Sequence, residues 1–331
     1  MNMRIARITR ISSSSLADRR IFLVASIAIT GLVMALLSPY FLVADNLLSM
    51  TQYGAVVGLL ALGQTLVILG GGGGIDISVG SILSLCGVVM GLAVEHGADV
   101  WVAALLTLLL GLVLGATNGL LITVIGIPAL IATLGTLYLF GSGAQVIAGD
   151  AQITGFSQHG FPVVGQGTVA GIPIQVLLVL IPVYALAIWI MGRGAFGRRV
   201  YEAGNNDRAL RLAGGSPAYL RFRLYCISGL LSALGAVVTN SWLQIARAGA
   251  GSGLELASIT IAVLGGTSIF GGRGRISGTF LAVMLIVVLN SGLQLAGVAQ
   301  SYQTGVLGAV LILSILLNQI LARRSGQRDL A

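Results

Sequence analysis

The 331-residue chain contains no lysine; all 18 of its basic residues are arginine. A Walker A loop needs a lysine on the nucleotide phosphates, so this chain cannot hydrolyse ATP by that route. Charge of either sign is scarce. Only 8% of residues are charged, against roughly 25% in a soluble domain, which excludes an ordinary water-soluble fold. The two cysteines, Cys86 and Cys226, lie in apolar runs without CxxC spacing. They read as small buried hydrophobes and imply no disulfide or metal site. The two histidines, His96 and His159, have no partner at metal-ligand or catalytic spacing. With neither a nucleophile–base pair nor paired carboxylates, the chain is not expected to be an enzyme.

What fills the sequence is apolar residues, 56% of the total. They fall in runs at 21–37, 50–69, 77–94, 100–124, 128–147, 174–191, 219–239, 256–270, 276–296 and 302–321. Most approach the ~20 residues that cross a bilayer as a helix. The expected fold is an all-α polytopic membrane protein of about ten spans, a single transmembrane domain over 1–331. Seventeen of the arginines fall in four places: before the first run, between 193 and 223, at 273–275, and after 322. With the N-terminus cytoplasmic, ten crossings bring all four clusters to the cytoplasmic side, as the positive-inside rule requires. The tail 1–20, the loop 192–218 and the tail 322–331 are then cytoplasmic. Asp45, Glu95, Asp99, Asp150 and Glu255 fall outside, with Arg247 the one basic exception. A miscount by one span would throw a whole cluster across the membrane. The run 21–37 lacks a small-residue cleavage site and reads as a retained first span. The net charge of +8 reads as orientation and affinity for anionic membrane lipid. Nucleic-acid binding would want lysine and interleaved aromatics.

Many of the 48 glycines fit close helix packing. The runs Gly70–Gly74 and Gly271–Gly274 do not, and mark broken or re-entrant backbone. Asp76 beside the first run would either cap the third span through the N–H groups of 77–79 or gate a solute path, and the two roles are compatible. Ser252-x-x-Glu255 reads as a capping box opening span eight. In the loop 192–218, Asn206 or Asn205 can N-cap a short helix with Asp207 in its first turn, stopped by Gly214-Gly215 and Pro217. Ala209, Leu210, Leu212 and Ala213 offer small apolar knobs there, and Arg208 and Arg211 share a face. Such a rod suits docking into a groove of a soluble partner. The spans carry amides and hydroxyls, among them Gln64, Asn118, Thr133, Thr136, Asn240, Gln244, Asn290 and Gln294. These fit a neutral polyol-like solute or interhelical hydrogen bonds equally. The span interiors contain no titratable residue, which argues against an ion-coupled secondary transporter.

Gly73-Gly74-Ile75-Asp76-Ile77-Ser78-Val79-Gly80, Asn118-Gly119, Ile127-Pro128-Ala129-Leu130-Ile131-Ala132-Thr133-Leu134-Gly135-Thr136 and Phe196-Gly197-Arg198 occur in that order. They are followed by Ala203-Gly204-Asn205-Asn206, Leu254-Glu255-Leu256, Leu264-Gly265-Gly266-Thr267-Ser268 and Gly271-Gly272-Arg273-Gly274. In this order they resemble the sugar-type permease subunits of ABC importers, the ribose/xylose/galactose class, over nearly the whole chain. Leu85-Cys86, Thr136–Phe140 and Asn290–Val298 are more similar to autoinducer-2 permeases within it. The resemblance implies a type-II-importer-like bundle in the bacterial inner membrane, pairing with a second copy or a homologue. It implies an extracytoplasmic binding protein as solute donor and a separate ATPase subunit that hydrolyses ATP, with no cofactor bound by this chain. The amides and hydroxyls of the spans, with Asp76 at the glycine break, make Asp76, Gln64, Asn118, Thr133, Thr136, Asn290 and Gln294 the candidate solute path. ATPase coupling falls to Arg198, Asn206, Arg208, Ala209, Leu210, Arg211, Leu212 and Gly214. Gly215, Leu210 and Thr260 depart from the family pattern, the first two at the ATPase contact.

Overall fold

The computed structural model describes residues 2–149 and 151–324. Asp150 and the tail from 325 onward, with Arg328, lie outside the described residues. The chain begins with α1 (Asn2–Leu37), α2 (Ala44–Leu69), α3 (Val79–Glu95), α4 (Val100–Thr123) and α5 (Ala129–Ala148). A loop then carries α6 (Pro162–Gln166) and a two-strand ribbon, β1 (Thr168–Val169) and β2 (Ile172–Pro173). A π-helical turn, Gln175–Leu180, runs straight into α7 (Ile181–Arg193). There follow α8 (Ala195–Asn205), α9 (Asp207–Leu212), α10 (Pro217–Leu243), α11 (Leu254–Leu264), α12 (Ile276–Leu295) and α13 (Gln300–Arg324). The segment 2–20, expected as an N-terminal tail, is helical and continuous with the first span in α1.

Local chemistry sets the helix starts. Asp99 accepts from the N–H groups of Trp101 and Val102 (2.9 and 3.2 Å) and opens α4. Ser216 caps α10 just before Pro217, whose missing N–H costs nothing in the first turn. Packing then sorts the helices. From Gly54 to Leu69 every residue of α2 is buried, so α2 is the core strut, and α10 packs against it as well as against α3 and α4. α4 and α10 approach backbone to backbone at Gly111 and Gly229. The flanks of α4, α5 and α7 show Leu105, Leu109, Ile131, Leu139 and Leu186 outward. So much exposed aliphatic surface is unsuited to water and suits hydrocarbon. Among the described residues, seven helices are long and apolar enough to cross a membrane, with shorter apolar helices beside them. The chain is an all-α multi-pass membrane protein.

One expected span is wrong in its bounds. The run 256–270 forms helix only over Leu254–Leu264, on the order of 16 Å and half of what a bilayer core needs. The rest of that crossing is the irregular segment before it, where Gly249, Gly251 and Gly253 break the helix. The capping box fails for the same reason. Gly253, with φ of +85°, takes the N-cap position, and Glu255 Oε1 accepts from the Gly253 N–H at 3.1 Å without Ser252.

The segment 151–173 closes the end of the bundle opposite the middle arginine cluster. Ile153 pairs with Ala246 in a short bridge, and Phe161 packs edge-on against Trp101 at 5.5 Å. Gly165 lies on the α10 backbone at Trp242 and accepts from Gln52 Nε2 at 2.9 Å.

Candidate functional site

Leaving α2, the chain turns through Gly71, Gly72 and Gly73, all with φ near +65 to +69°. It then climbs back into the bundle as far as Ser78, the N-cap of α3. Backbone that is neither helix nor strand must find side-chain partners when buried. Gln64 supplies two. Oriented to suit, its carboxamide donates to the Asp76 carbonyl (2.9 Å) and accepts from the Asp76 N–H (3.3 Å). Thr133 Oγ1 donates to the Ile75 carbonyl at 3.2 Å. Asp76 Oδ1 accepts from the N–H and hydroxyl of Ser78 (3.1 and 2.6 Å), and Oδ2 accepts from the Ser228 hydroxyl (2.9 Å). Asn118 Nδ2 donates to Ser78 Oγ, and Thr136 Oγ1 to Asn118 Oδ1, both at 2.7 Å.

Asp76, Gln64, Asn118, Thr133 and Thr136 therefore converge on four residues of broken backbone. Asp76, Gln64, Asn118 and Thr133 are 0% exposed and Thr136 is 3%. In this conformation the cluster is a closed knot. Asp76 caps through Ser78 in an Asx-type turn two residues ahead of the helix, and only one of the three expected N–H groups is its partner. Ser78 and Ser228 also belong to the knot; Ser78 stands in the signature around Asp76, whereas Ser228 is a hydroxyl in a long apolar helix, with no local signal that separates it from ordinary packing. Asn290 and Gln294 do not join. α12 runs antiparallel to α2, with Thr279 at Thr65 and Val287 at Gly54. Both amides thus lie beyond Gly54, on the order of 15 Å or more from Gln64. Asn290 meets the Tyr53 side chain of α2 instead, and Gln294 is exposed.

Replacing Asp76 with leucine leaves two hydroxyls and one N–H without an acceptor, at about 1–3 kcal/mol each. Its expected result is a marked fall in thermal stability in detergent, measured by size-exclusion after heating. Asp76→Asn keeps one carbonyl oxygen and should lose less. Equal stability of Asp76→Leu and the parent would contradict the knot.

The arginine-rich end holds the second constellation. Asn206 Oδ1 accepts from the N–H groups of Arg208 and Ala209 (2.9 and 3.3 Å), so Asn206 and not Asn205 is the cap. The helix α9 is six residues, shorter than the expected Asn206–Ala213 rod. Gly214 turns it off with φ of +76°. Arg198, Arg208, Ala209, Arg211 and Gly214 are exposed. The two leucines divide: Leu212 is 83% exposed and Leu210 is 2%. Leu210 is thus buried against its own loop and the bundle, and Leu212 is the leucine left on the surface. The Leu210 side chain packs under the turn at Gly215, a position that departs from the family pattern and has no room for a Cβ.

This surface is fastened to the broken spans. Arg221 clasps Asp207 with both guanidinium nitrogens (2.9 and 2.6 Å), and its Nε donates to the Gly70 carbonyl at 3.2 Å. Gly204, ending α8, touches Gly71 and Gly272 backbone to backbone. The Gly272 N–H donates to the Leu69 carbonyl at 3.0 Å, joining the two glycine breaks. Tyr201 donates to the Gly274 carbonyl at 3.1 Å. Burial pushes its hydroxyl above the usual phenol range, with the Arg275 charge opposing, so it remains a donor at neutral pH. Among the described residues no group of His, Cys, Asp and Glu is placed to hold a metal.

Lipid-facing flanks, spans interrupted at polar knots, and a capped helix offered at one end define a multi-pass transport protein. The chain belongs to the family described as branched-chain amino acid transport system / permease component, which matches residues 46–315. It is 38% identical over 303 residues to the autoinducer 2 import system permease protein LsrD of Klebsiella pneumoniae, covering 90% of each chain. It is also 38% identical over 289 residues to the ribose import permease protein RbsC of Bacillus subtilis, covering 87% of this chain and 89% of that one. The RbsC of Escherichia coli is 35% identical over 289 residues, covering 86% and 89%. No solved structure matches the chain.

Proposed function

We propose that the chain is the permease subunit of a bacterial ABC importer for a small, neutral, sugar-like solute, autoinducer-2 or a monosaccharide. An extracytoplasmic binding protein delivers the solute, and a separate ATPase subunit hydrolyses ATP. A second copy or a homologous permease completes the pore, and no cofactor is bound by this chain. The similarity to ribose and autoinducer-2 import permeases over 86–90% of the chain carries the solute class. The exposed α9, fastened through Asp207 and Arg221 to the Gly70 break, supports the drive. A push on α9 reaches the polar knot within a few residues, through rigid backbone. On this reading Arg198, Arg208, Ala209, Arg211 and Leu212 meet the ATPase, while Leu210, Asn206 and Gly214 shape the helix that does so. Asp76, Gln64, Asn118, Thr133 and Thr136 form the gate that opens when the knot is strained.

Deleting the gene and following depletion of autoinducer-2 and of pentoses from the medium tests the solute class. Loss of uptake of one of them is expected. Unchanged uptake of both, with the ATPase and binding protein intact, would remove the assignment. The orientation is tested with single cysteines after replacing Cys86 and Cys226. Position 159 should label from outside with an impermeant thiol reagent and position 206 should not. Labelling at 206 in intact cells would invert the arrangement.

A further inference from the structure

The sequence places Arg247 and Glu255 in an outer loop, clear of the membrane. The packing leaves Arg247 at the outer end of α3 and puts Glu255 elsewhere. Ala246 lies against Gly91 of α3, whereas Gly251 lies against Gly80, and its N–H donates to Ser84 Oγ at 2.9 Å. Between Gly91 and Ser84 the segment descends α3 by on the order of 10 Å, and it ends beside Gly80. Gly80 sits beside the knot, where Ser228 of α10 meets Asp76, seven residues (~10 Å) beyond the Arg221–Gly70 contact. The start of α11 is therefore deep in the bundle, near mid-bilayer. The segment between is a chain of tight turns, with N–H to carbonyl bonds from Ala250 to Arg247, Ser252 to Gly249 and Leu254 to Gly251.

On its outer side this segment is open. Arg247, Gly249, Ser252 and Gly253 are exposed and Glu255 is half-buried. A Cβ at Gly80 would come within 2.6 Å of Glu255 Oε2, so only glycine lets the carboxylate sit there. Irregular backbone and the ionisable Glu255 at this depth cannot face hydrocarbon. They are tolerated where they line water.

We propose that the segment Arg247–Glu255 lines a water-filled vestibule that carries the solute from the outer face to the knot at Asp76. The inference rests on the importer reading above and names its path. One cation and one anion give the lining no net charge, and with Ser252 they offer both donors and acceptors. That chemistry takes a neutral polyhydroxylated solute and gives no advantage to an ion of either sign. The path expected from the amides of the spans is thereby relocated: the Asp76 cluster is its closed floor, and the lining above it comes from a stretch that reads as an outer loop.

The test uses the full complex with its ATPase and binding protein, reconstituted in nanodiscs on a background lacking Cys86 and Cys226. Single variants Arg247→Cys and Ser252→Cys are treated with a charged, membrane-impermeant methanethiosulfonate. His96→Cys serves as the open standard and Leu109→Cys, on the lipid flank of α4, as the buried-in-lipid control. Positions 247 and 252 should react within tenfold of position 96, with position 109 at least a hundredfold slower. Reaction at 252 as slow as at 109, both with and without ATP, overturns the proposal. Efficient 252–252 cross-linking with no aqueous labelling overturns it too, since the face is then a dry contact with a second copy. Glu255→Ala should lower uptake more than tenfold with Ser252→Cys labelling unchanged; full uptake would remove Glu255 from the path. Labelling requires no transport. Aqueous access at 252 without uptake of ribose or autoinducer-2 would therefore refute the solute assignment and leave the vestibule standing.

Discussion

Gly204→Ala is expected to abolish uptake, although it adds one methyl group. The new Cβ would be driven into the Leu69 carbonyl and the Gly272 N–H, both of them backbone. No side chain there can swing aside. Gly71 and Gly271 make the same kind of contact, at 2.5 Å between a Cβ on Gly271 and the Gly71 Cα, so relief at one breaks fit at another. Overpacking a core normally costs about 1–3 kcal/mol because neighbours adjust. Here the two glycine breaks and the end of α8 would have to separate, with loss of the Gly272–Leu69 hydrogen bond. Even ~2 kcal/mol shifts the native population by a factor of about 30. Uptake and thermal stability should be measured beside Gly192→Ala, which meets open space and should behave as the parent. Uptake by Gly204→Ala within twofold of the parent, at equal expression, would show that the junction transmits nothing.

Leu212→Asp should give a protein that inserts, purifies and melts like the parent but does not transport. Leu212 is 83% exposed, so the charge costs the isolated permease nothing. Buried in the ATPase groove, the same charge would cost a few kcal/mol. Co-purification with the ATPase should fall, or persist with solute-stimulated hydrolysis lost. Leu210→Asp is the contrast. At 2% exposure its charge would enter the bundle, and lowered stability should precede any loss of coupling. Normal transport by Leu212→Asp would make α9 a surface turn and move the docking site elsewhere.

These two leucines show where sequence reading stops. Cap, first-turn acid and stopping glycines are chemistry among neighbours a few residues apart, so Asn206, Asp207 and Gly214 were legible. Which leucine faced the bundle depended on Arg221, which is 14 residues from Asp207 and 151 from Gly70.

By itself the sequence determined that the chain lies in a membrane as an all-α multi-pass protein, and which segments gather arginine. Hydrocarbon forces those properties on each segment separately, through run length and charge. Only the tertiary structure decided that Gln64, Asn118, Thr133 and Thr136 serve one stretch of backbone at Ile75–Ser78, while Asn290 and Gln294 stand apart. It alone turned span eight into a descending run of turns and a half-helix, because glycine permits broken backbone but does not say where it will run. In span eight that course is set by Ser84 of α3, 167 residues away in the chain, which accepts from the Gly251 N–H.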